Sequence, residues 1–362
     1  MKNSLLIMFI LLVFPFLMMN YNKEDNKIDT KAREMLSSMT LDEKIGQMFF
    51  VRHPKENQIK DIQDYNLGGY LFYSSDFASE TKDSFKNKID LYQKESNIPL
   101  LMGVDEEGGK VVRISKYLAF REEPFKSSRE LYKDGGLKLI EKDTTEKCKL
   151  LKELGLNTNF APVVDISTNV NDYMFDRSLG KNRKITSDYA KKVIKIMKDE
   201  KIVSVLKHFP GYGNNTDTHE EISYDERSLK ELENKDFWPF TSGISAGANM
   251  ILINHNILSQ IDSKPASISL KMHELLRDRL NFDGVIITDA LDMKGLTEHL
   301  NKTSPSVAAI LAGNDMLCTT NYHEEIPEVK KAIQDGIITE KRINESVLRI
   351  LKMKIKMGII NQ

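Results

Sequence analysis

The sequence predicts a single (β/α)₈ barrel of the TIM type, preceded by a hydrophobic N-terminal segment. Short apolar runs typical of buried strands recur eight times, amphipathic stretches typical of helices separate them, and polar side chains directly follow several of the runs. Apolar strands that alternate with helices indicate a parallel sheet covered by helices. Eight such units in a chain of this length are the number that closes a barrel.

The first residues have the layout of an export signal. "MKNSLLIMFILLVFPFLMM" contains one Lys and then an apolar run from Leu5 to Met19, followed by a polar stretch. The run is shorter than the roughly 20 residues that a comfortable membrane-spanning helix needs. We therefore expect residues 1–25 to be a signal peptide or a membrane anchor. The protein would then be secreted, or anchored at the outer face of the cytoplasmic membrane.

A charged linker is expected near Asn22 to Thr30, and the barrel domain is expected to occupy residues 26–362. The predicted strands begin, in order, at Ile45, Leu67, Pro99, Asn157, Val203, Asn249, Gly284 and Gly313. The last amphipathic stretch, "INESVLRILKMKIKMG", predicts one more helix and no second domain after it.

A doubly wound open sheet is the competing architecture. That fold would carry a Gly-rich phosphate-binding turn after its first strand, and "GQMFFVRHPKEN" is no such turn. Polar residues instead follow many different strands, namely Asp105, Asp165, Lys207, His208, His255 and Asp289. Barrel enzymes place their chemistry at the carboxyl ends of their strands, so this distribution favours the barrel.

The composition excludes some classes of protein. Hydrophobic residues make up 40% and charged residues 29% of the chain, as in a soluble globular domain. With 52 basic against 53 acidic residues the net charge is −1, which gives no field to attract nucleic acid. Cys148 and Cys318 cannot build a disulfide framework, and neither lies beside a base that would activate it as a nucleophile.

Two carboxylates stand out at strand ends. Asp289 ends the strand in "GVIITDALDMKG", so its carboxylate should project into the barrel mouth, although an Asp here could also be a helix N-cap. Asp105 ends the strand in "GVDEEGGKVVR", where paired glycines allow close approach of a ligand. Asp105 with Arg113 could hold sugar hydroxyls by charge-assisted hydrogen bonds, or the segment could be a turn with solvated charges.

The segments after the fourth and fifth strands add further candidates. Arg177 in "FDRSLG" could reach a substrate oxygen, or it could be an ordinary surface charge. "KHFPGYGNNTDTHEE" places Lys207 and His208 at the end of a strand and Asp217 two residues before His219. A carboxylate beside an imidazole stabilises the imidazolium and fixes its tautomer, which suits a proton donor. Taken alone, a loop histidine is more often solvated than catalytic.

These motifs together resemble family 3 of the glycoside hydrolases, in particular its β-N-acetylglucosaminidase branch. The resemblance rests on "DEEGGKVVR", "NFAPVVD", "DRS", "KHFPGYGNNTDTH" and "TDALDM", and it extends from Leu41 to the C-terminus in a consistent order. The most specific part is the Lys-His-Phe-Pro-Gly-x-Gly element followed by Asp-x-His.

The resemblance implies a retaining mechanism. Asp289 matches the family's nucleophile, which forms a covalent glycosyl-enzyme, and His219 matches the general acid/base, which Asp217 orients. The residues that match those holding the non-reducing N-acetylglucosamine are Asp105, Arg113, Arg177, Lys207 and His208. The implied partner is a β-linked N-acetylglucosamine-containing saccharide or muropeptide, and no cofactor or metal is implied. Membrane association could follow from the N-terminal segment.

The chain departs from the family pattern at a few positions. Tyr212 stands where many relatives have a second His, and Thr218 replaces a common Ser. Glu106 stands where Gln is frequent, and we expect it to add negative charge near the sugar.

Three alternative functions remain open from the sequence. A histidine that donates its proton becomes a neutral imidazole, which would not repel an anionic acceptor such as phosphate. The protein could therefore be a phosphorylase. A metal-dependent hydrolase could use His208, Asp217, His219 and His255 as ligands. The chain could also be an exported sugar-binding barrel without catalysis.

Overall fold

The computed structural model describes residues 24–218, 221–300 and 303–361. The predicted export or anchor segment, residues 1–25, lies almost wholly outside the described residues. The strands are β1 (Phe49–Arg52), β2 (Gly69–Phe72), β3 (Leu101–Val104), β4 (Thr158–Asn159), β5 (Val203–Phe209), β6 (Tyr224–Asp225), β7 (Met250–Ile253), β8 (Ile257–Leu258), β9 (Val285–Thr288) and β10 (Leu317–Thr319).

Helices separate the strands, as the amphipathic stretches predict. They are α1 (24–38), α2 (Leu41–Gln47), α3 (Gln58–Tyr65), α4 (Lys82–Glu95), α5 (Ser128–Glu153), α6 (Arg183–Asp199), α7 (Leu229–Asn234), α8 (Phe237–Ala246), α9 (Leu270–Glu274), α10 (Lys294–Leu300), α11 (Pro305–Ala312), α12 (Tyr322–Gln334) and α13 (Glu340–Lys356). Among the described residues, none of these helices has the length and apolarity that a bilayer crossing requires.

Eight of the strands form one closed parallel sheet. Their order is β10-β1-β2-β3-β4-β5-β7-β9, and β6 pairs with β8 in a separate two-stranded sheet. The ring closes where Ile287 of β9 forms a parallel bridge with Met316, and the Thr288 N–H donates to Met316 O at 3.2 Å. Each of the eight predicted strand runs overlaps one of these strands, and the (β/α)₈ barrel is confirmed. A doubly wound sheet, with two open edges, is therefore wrong for this chain.

Apolar side chains fill the barrel because its strands are covered on both faces. All seven residues of β5 are buried, and the Phe50 and Phe160 rings meet edge to face at 5.2 Å. A Cβ at Gly103 of β3 would lie 2.5 Å from the Phe50 ring, so this strand position has room only for glycine.

Within the described residues, the segment predicted as a charged linker (24–30 of Asn22 to Thr30) is part of helix α1. Ile28 and Ala32 are buried at 6% and 0% exposure, and Met35 and Leu36 pack against the same core. This i, i+4, i+7, i+8 spacing gives the helix an apolar stripe despite its many charges. Asp29 forms ion pairs with Arg33 and, on α13, with Lys352. The linker prediction was wrong because it weighed the polarity of the segment and not its periodicity.

Helix α13 closes one end of the barrel. The ammonium group of Lys354 is fully buried and donates to Gln47 Oε1 at 2.7 Å, Gly68 O at 3.0 Å and Pro99 O at 2.8 Å. These acceptors lie just before β1, β2 and β3, so α13 and the adjacent α1 lie at the amino ends of the strands. The opposite end of the barrel carries the cavity described next.

Candidate active site

A cavity of about 340 Å³ opens at the carboxyl ends of the barrel strands. Its wall includes the following residues that the sequence predicts as functional: Asp105, Arg113, Arg177, Lys207, His208, Asp217 and Asp289. His219, the remaining predicted residue, lies outside the described residues. The barrel therefore brings together side chains that come from distant parts of the chain.

Lys207 lies on β5 between two carboxylates. Its Nζ is 2.7 Å from Asp105 Oδ1 and 2.7 Å from Glu107 Oε1, and the residue is 2% exposed. Burial by itself lowers the pKa of Lys207, but the charges of Asp105 and Glu107 outweigh burial and raise that pKa above its ordinary value. The ammonium group is therefore charged and fixed at the wall of the cavity.

Glu107 also holds Arg177. The guanidinium donates from Nη2 to Glu107 Oε1 at 2.7 Å and from Nε to Oε2 at 3.1 Å, which is a bidentate ion pair. Burial alone raises the pKa of Glu107, but Arg177 and Lys207 outweigh it and hold that pKa below its ordinary range. The ionised Glu107 thus joins two candidate sugar-binding cations, a role that the sequence did not reveal.

Glu106, in contrast, does not face the cavity. Its carboxylate is fully buried and accepts hydrogen bonds from the backbone N–H groups of Arg113 and Ile114, both at 2.8 Å, and of Ser115 at 3.2 Å. The expectation that Glu106 adds negative charge near the sugar was wrong. Side chains alternate along an extended chain, so Glu107 shares a side with Asp105 and Glu106 does not. Glu106 instead fixes the loop that carries Arg113.

His208 is held in one tautomer. Its Nε2 lies 3.2 Å from Arg177 Nη2, which can only donate, so Nε2 is the acceptor. Nδ1 must then carry the proton, and it donates to Asp165 Oδ2 at 2.7 Å. Asp165 also accepts from the backbone N–H groups of His208 at 3.2 Å and Tyr212 at 2.7 Å. The structure therefore shows a neutral imidazole clamped between a carboxylate and a guanidinium.

Asp289 follows β9 directly and reaches the cavity half-buried. Its N–H donates to Ile253 O of β7 at 2.9 Å, and the Ala290 N–H donates to Asp289 Oδ1 at 2.9 Å. The next helix, α10, begins only at Lys294, so the N-cap interpretation of Asp289 was wrong. The backbone around this carboxylate is thus fixed by the neighbouring strand.

His255, which the sequence places at the same rim, is fully buried below Ala290. Its Nε2 is 2.9 Å from Ala290 O, and a carbonyl can only accept, so Nε2 carries the proton. Nδ1 is 2.7 Å from the Ser267 hydroxyl, which donates to it. His255 therefore supports the segment after Asp289 and is absent from the cavity wall.

Comparison with known proteins assigns the family. Residues 40–353 match the family model described as "Glycosyl hydrolase family 3 N terminal domain". The chain belongs to glycoside hydrolase family 3. A β-hexosaminidase from Hydrogenovibrio crunogenus is 33% identical over 299 residues, which are 80% of this chain and 82% of that protein.

The chain spans only part of the length of some family 3 proteins that it matches. β-Hexosaminidase A from Pseudoalteromonas piscicida is 26% identical over 325 residues, and the match covers 82% of this chain but 54% of that protein. The solved structure of a family 3 β-N-acetylglucosaminidase from Paenibacillus sp. str. FPU-7 has a TM-score of 0.83 and 25% identity. It covers 89% of this chain, which spans 63% of that structure.

The cavity of this family 3 member also contains a thiol. Cys318, at the carboxyl end of the barrel on β10, is 6% exposed. Burial, and then the nearby carboxylates Asp289 and Asp105, raise the pKa of Cys318 well above its ordinary value. The thiol is therefore protonated and acts as a neutral part of the cavity wall.

Two of the four residues considered as metal ligands, His208 and His255, have other partners in the structure. Both ring nitrogens of His208 and of His255 are occupied by the hydrogen bonds given above. Within residues 24–218, 221–300 and 303–361, no group of three or more His, Cys, Asp or Glu side chains is arranged to hold a metal ion. The described part of the cavity wall is instead a set of paired charges suited to polar hydroxyl groups.

Proposed function

We propose that this chain is a retaining, exo-acting β-N-acetylhexosaminidase that removes terminal non-reducing β-linked N-acetylglucosamine. The observation that carries the proposal is the single cavity that unites Asp289 and Asp217 with Lys207, Arg177 and Asp105. The names of the relatives, β-hexosaminidase and β-N-acetylglucosaminidase, support the choice of sugar.

In the first step the carboxylate of Asp289 attacks the anomeric carbon, the glycosidic bond breaks, and a covalent glycosyl-enzyme forms. Water then attacks the same carbon and releases Asp289, so the sugar keeps its configuration. The hydrogen bond from the Ala290 N–H to Asp289 Oδ1 at 2.9 Å supports this role, because it fixes the carboxylate before the substrate binds.

His219 is proposed as the general acid/base and Asp217 as the residue that orients it. The imidazolium protonates the leaving oxygen in the first step, and the neutral imidazole takes a proton from water in the second. Asp217, two residues before His219, lines the cavity, which supports its placement in this dyad. A carboxylate at this position stabilises the charged imidazole.

The sugar is proposed to bind through the charged wall. Lys207, Arg177 and Arg113 supply donors, and Asp105 supplies an acceptor, for the ring hydroxyls and the acetamido group. The Nε atom of Arg113 is buried and has no hydrogen-bond partner among the described residues, which suits a donor reserved for a ligand. His208, neutral and clamped, presents its ring edge at the same wall.

The natural substrate is proposed to be a peptidoglycan fragment, such as a muropeptide, outside the cytoplasm. The apolar run between Leu5 and Met19 supports export, and the protein would be secreted or held at the outer face of the cytoplasmic membrane. Export would place the enzyme in the same compartment as the cell wall.

The test is release of nitrophenol from p-nitrophenyl β-N-acetylglucosaminide by the full chain. We expect Asp289→Asn to lose turnover on the order of a thousandfold or more, because no nucleophile remains. His299→Ala, in α10 and outside the cavity wall, should keep the wild-type rate. A wild-type rate for Asp289→Asn would exclude the mechanism.

The same assay separates the alternatives. Repeating it in phosphate buffer and identifying the sugar product distinguishes hydrolysis from phosphorolysis, since only the latter gives a sugar 1-phosphate. Binding of N-acetylglucosamine without turnover in either buffer would identify a sugar-binding barrel instead of an enzyme.

A further inference from the structure

We propose that the hydroxyl group of Tyr212 is a positioning device for the segment that carries Asp217 and His219. Tyr212 would act through Thr218, the residue between them, and not by touching the substrate. The inference rests on the proposed function, in which this segment supplies the proton for the leaving group.

Two hydrogen bonds join Tyr212 to Thr218. The Tyr212 hydroxyl oxygen accepts from the Thr218 N–H at 3.0 Å and lies 2.7 Å from the Thr218 hydroxyl. A phenol has one donor and two acceptor sites, so it can make both bonds at once. Tyr212 is 2% exposed and Thr218 is fully buried, so water does not compete for these groups.

Tyr212 itself is firmly fixed. Its backbone N–H donates to Asp165 Oδ1 at 2.7 Å, and the other oxygen of that carboxylate holds His208. The Tyr212 ring packs edge to face with the His208 ring at 5.7 Å and lies 5.4 Å from the Tyr173 ring. Asp165 therefore links the sugar-binding His208 to the residue that holds Thr218.

The chain just before Tyr212 must also bend in a fixed way. Gly211 has φ of +113°, and a Cβ there would lie 2.6 Å from a carboxylate oxygen of Asp236. The Arg227 guanidinium donates to Gly211 O at 2.8 Å and to Asp236 at 2.7 Å. The tight turn thus directs the Tyr212 ring towards the cavity.

Thr218 is held from its other side as well. Its carbonyl accepts from the Gly295 N–H at 3.1 Å, and a Cβ at Gly295 would lie 2.9 Å from both Thr218 O and Glu221 O. The N–H, the hydroxyl and the carbonyl of Thr218 are therefore all bound. Thr218 directly follows Asp217, so these contacts fix the backbone at the carboxyl end of Asp217.

Loss of the Tyr212 hydroxyl would leave the Thr218 N–H buried without its partner, which is unfavourable. The segment is expected to shift to recover a hydrogen bond. Proton transfer requires the donor to lie within about 2.6–3.2 Å of the leaving oxygen, so a small shift weakens acid catalysis. The sugar contacts proposed for Lys207, Arg177 and Asp105 do not involve the Tyr212 hydroxyl and should remain.

The experiment compares kcat/KM for two substrates that differ in the leaving group. Nitrophenolate leaves p-nitrophenyl β-N-acetylglucosaminide without a proton, whereas the sugar alkoxide of a β-linked N-acetylglucosamine disaccharide needs one. For Tyr212→Phe we expect a loss on the order of tenfold to a hundredfold with the disaccharide, part of the full effect of general acid catalysis. The nitrophenyl substrate should change much less.

Two variants control the result. Thr218→Val removes only the hydroxyl partner, so we expect the same selective loss at a smaller size. Tyr70→Phe removes another buried tyrosine hydroxyl, which donates to Gln58 O at 2.7 Å outside the cavity wall, and the ratio of the two substrates should stay at its wild-type value.

Equal losses on both substrates for Tyr212→Phe, or no loss on either, would overturn the inference. If Tyr212→Phe does not fold, an unchanged substrate ratio in Thr218→Val would overturn it instead. Absence of turnover by the wild-type protein on both substrates would be a failure of the proposed function and not of the Tyr212 contact alone.

Discussion

At the scale of single residues, the cavity wall is defined by charges that neutralise one another. Buried charges are tolerated when they are paired and hydrogen-bonded. If one partner is removed, the remaining charge stays buried with nothing to offset the cost of its desolvation. Glu107 is the central residue, because it binds Lys207 and Arg177 at once. The donors that we assign to the sugar are therefore fixed before any ligand arrives.

Replacement of Glu107 with Gln keeps the shape of this side chain and removes its charge. We expect KM for the nitrophenyl substrate to rise, and the free energy of unfolding to fall by about 3–5 kcal/mol, because two buried cations lose their shared partner. Steady-state kinetics and urea titration measure these effects.

Glu107→Asp, which keeps the charge on a shorter side chain, should recover part of both losses. The ratio of nitrophenyl to disaccharide rates should not change in either variant, in contrast to Tyr212→Phe. Wild-type KM and stability in Glu107→Gln would contradict the role assigned to this carboxylate.

At the scale of secondary-structure elements, the strands decide which residues meet. Asp105 follows β3, Lys207 and His208 end β5, and Asp289 follows β9. In a closed parallel barrel all the carboxyl ends lie on one rim, so residues far apart in the chain converge. Recognition of the strands was therefore enough to expect a shared site at this rim.

The helices were harder to predict than the strands. A segment with many charges can still form a packed helix when its few apolar residues share one face. Helix α1 is such a case, since Ile28 and Ala32 are buried beneath a charged surface.

Truncation of Ile28 tests the packing of α1. We expect Ile28→Ala to lower the free energy of unfolding by about 2–5 kcal/mol, the range for a buried large-to-small change. Turnover of the folded variant should remain at the wild-type value, because α1 lies at the barrel end opposite the cavity. Urea titration and the nitrophenol assay provide the two measurements.

Lys27→Ala is the matched control, since Lys27 is the exposed neighbour on the same helix. A surface substitution of this kind should change stability within about 0.5 kcal/mol. Equal stability of Ile28→Ala and Lys27→Ala would contradict the packing assigned to α1.

At the scale of the whole molecule, the two ends of the barrel have different roles: the amino end contributes stability and the carboxyl end contains the candidate active site. The amino end is closed by buried polar contacts, including those of Lys354 and those of the fully buried Asp315 with Arg277 and Ser346. The carboxyl end carries the candidate chemistry. Changes at the amino end should therefore alter stability without altering the cavity.

We expect His273 to make the stability of the barrel dependent on pH. It is 3% exposed, its Nδ1–H donates to Ser269 O at 2.8 Å, and Asp315 and Arg277 are its charged neighbours. Burial lowers the pKa of His273 from 6.5 to about 4. Between these values the unfolded chain binds the extra proton and the folded chain does not, so stability falls as the pH falls from 6.5 to 4.

The expected loss from this group is about 3 kcal/mol, since one pKa unit corresponds to about 1.4 kcal/mol. His273→Asn keeps a donor for Ser269 O but cannot titrate, so it should lose less stability between pH 7.5 and pH 4. Urea titrations of both proteins at the two pH values give the difference. Parallel losses would show that His273 does not set the acid sensitivity.

Much of the site could be predicted because the motifs follow strand ends directly. The strand boundaries and the family resemblance were enough to predict four residues of the cavity wall, namely Asp105, Lys207, His208 and Asp289. Glu107 was missed although it lies two residues from Asp105, a spacing that could have placed both on one side of an extended segment. The roles of Asp289, Asp217 and His219 in catalysis stay predictions.

The sequence by itself determined the eight strands, their enclosure in a barrel and the family, because apolar runs and local motifs are properties of consecutive residues. Only the tertiary structure decided that Glu107 joins Lys207 to Arg177, that Glu106 faces away, and that Tyr212 holds Thr218. These relations depend on distances between separate segments and on the direction of each side chain. These distances and directions are set only when the barrel closes, because buried charges and hydroxyl groups are stable only when they are paired or hydrogen-bonded.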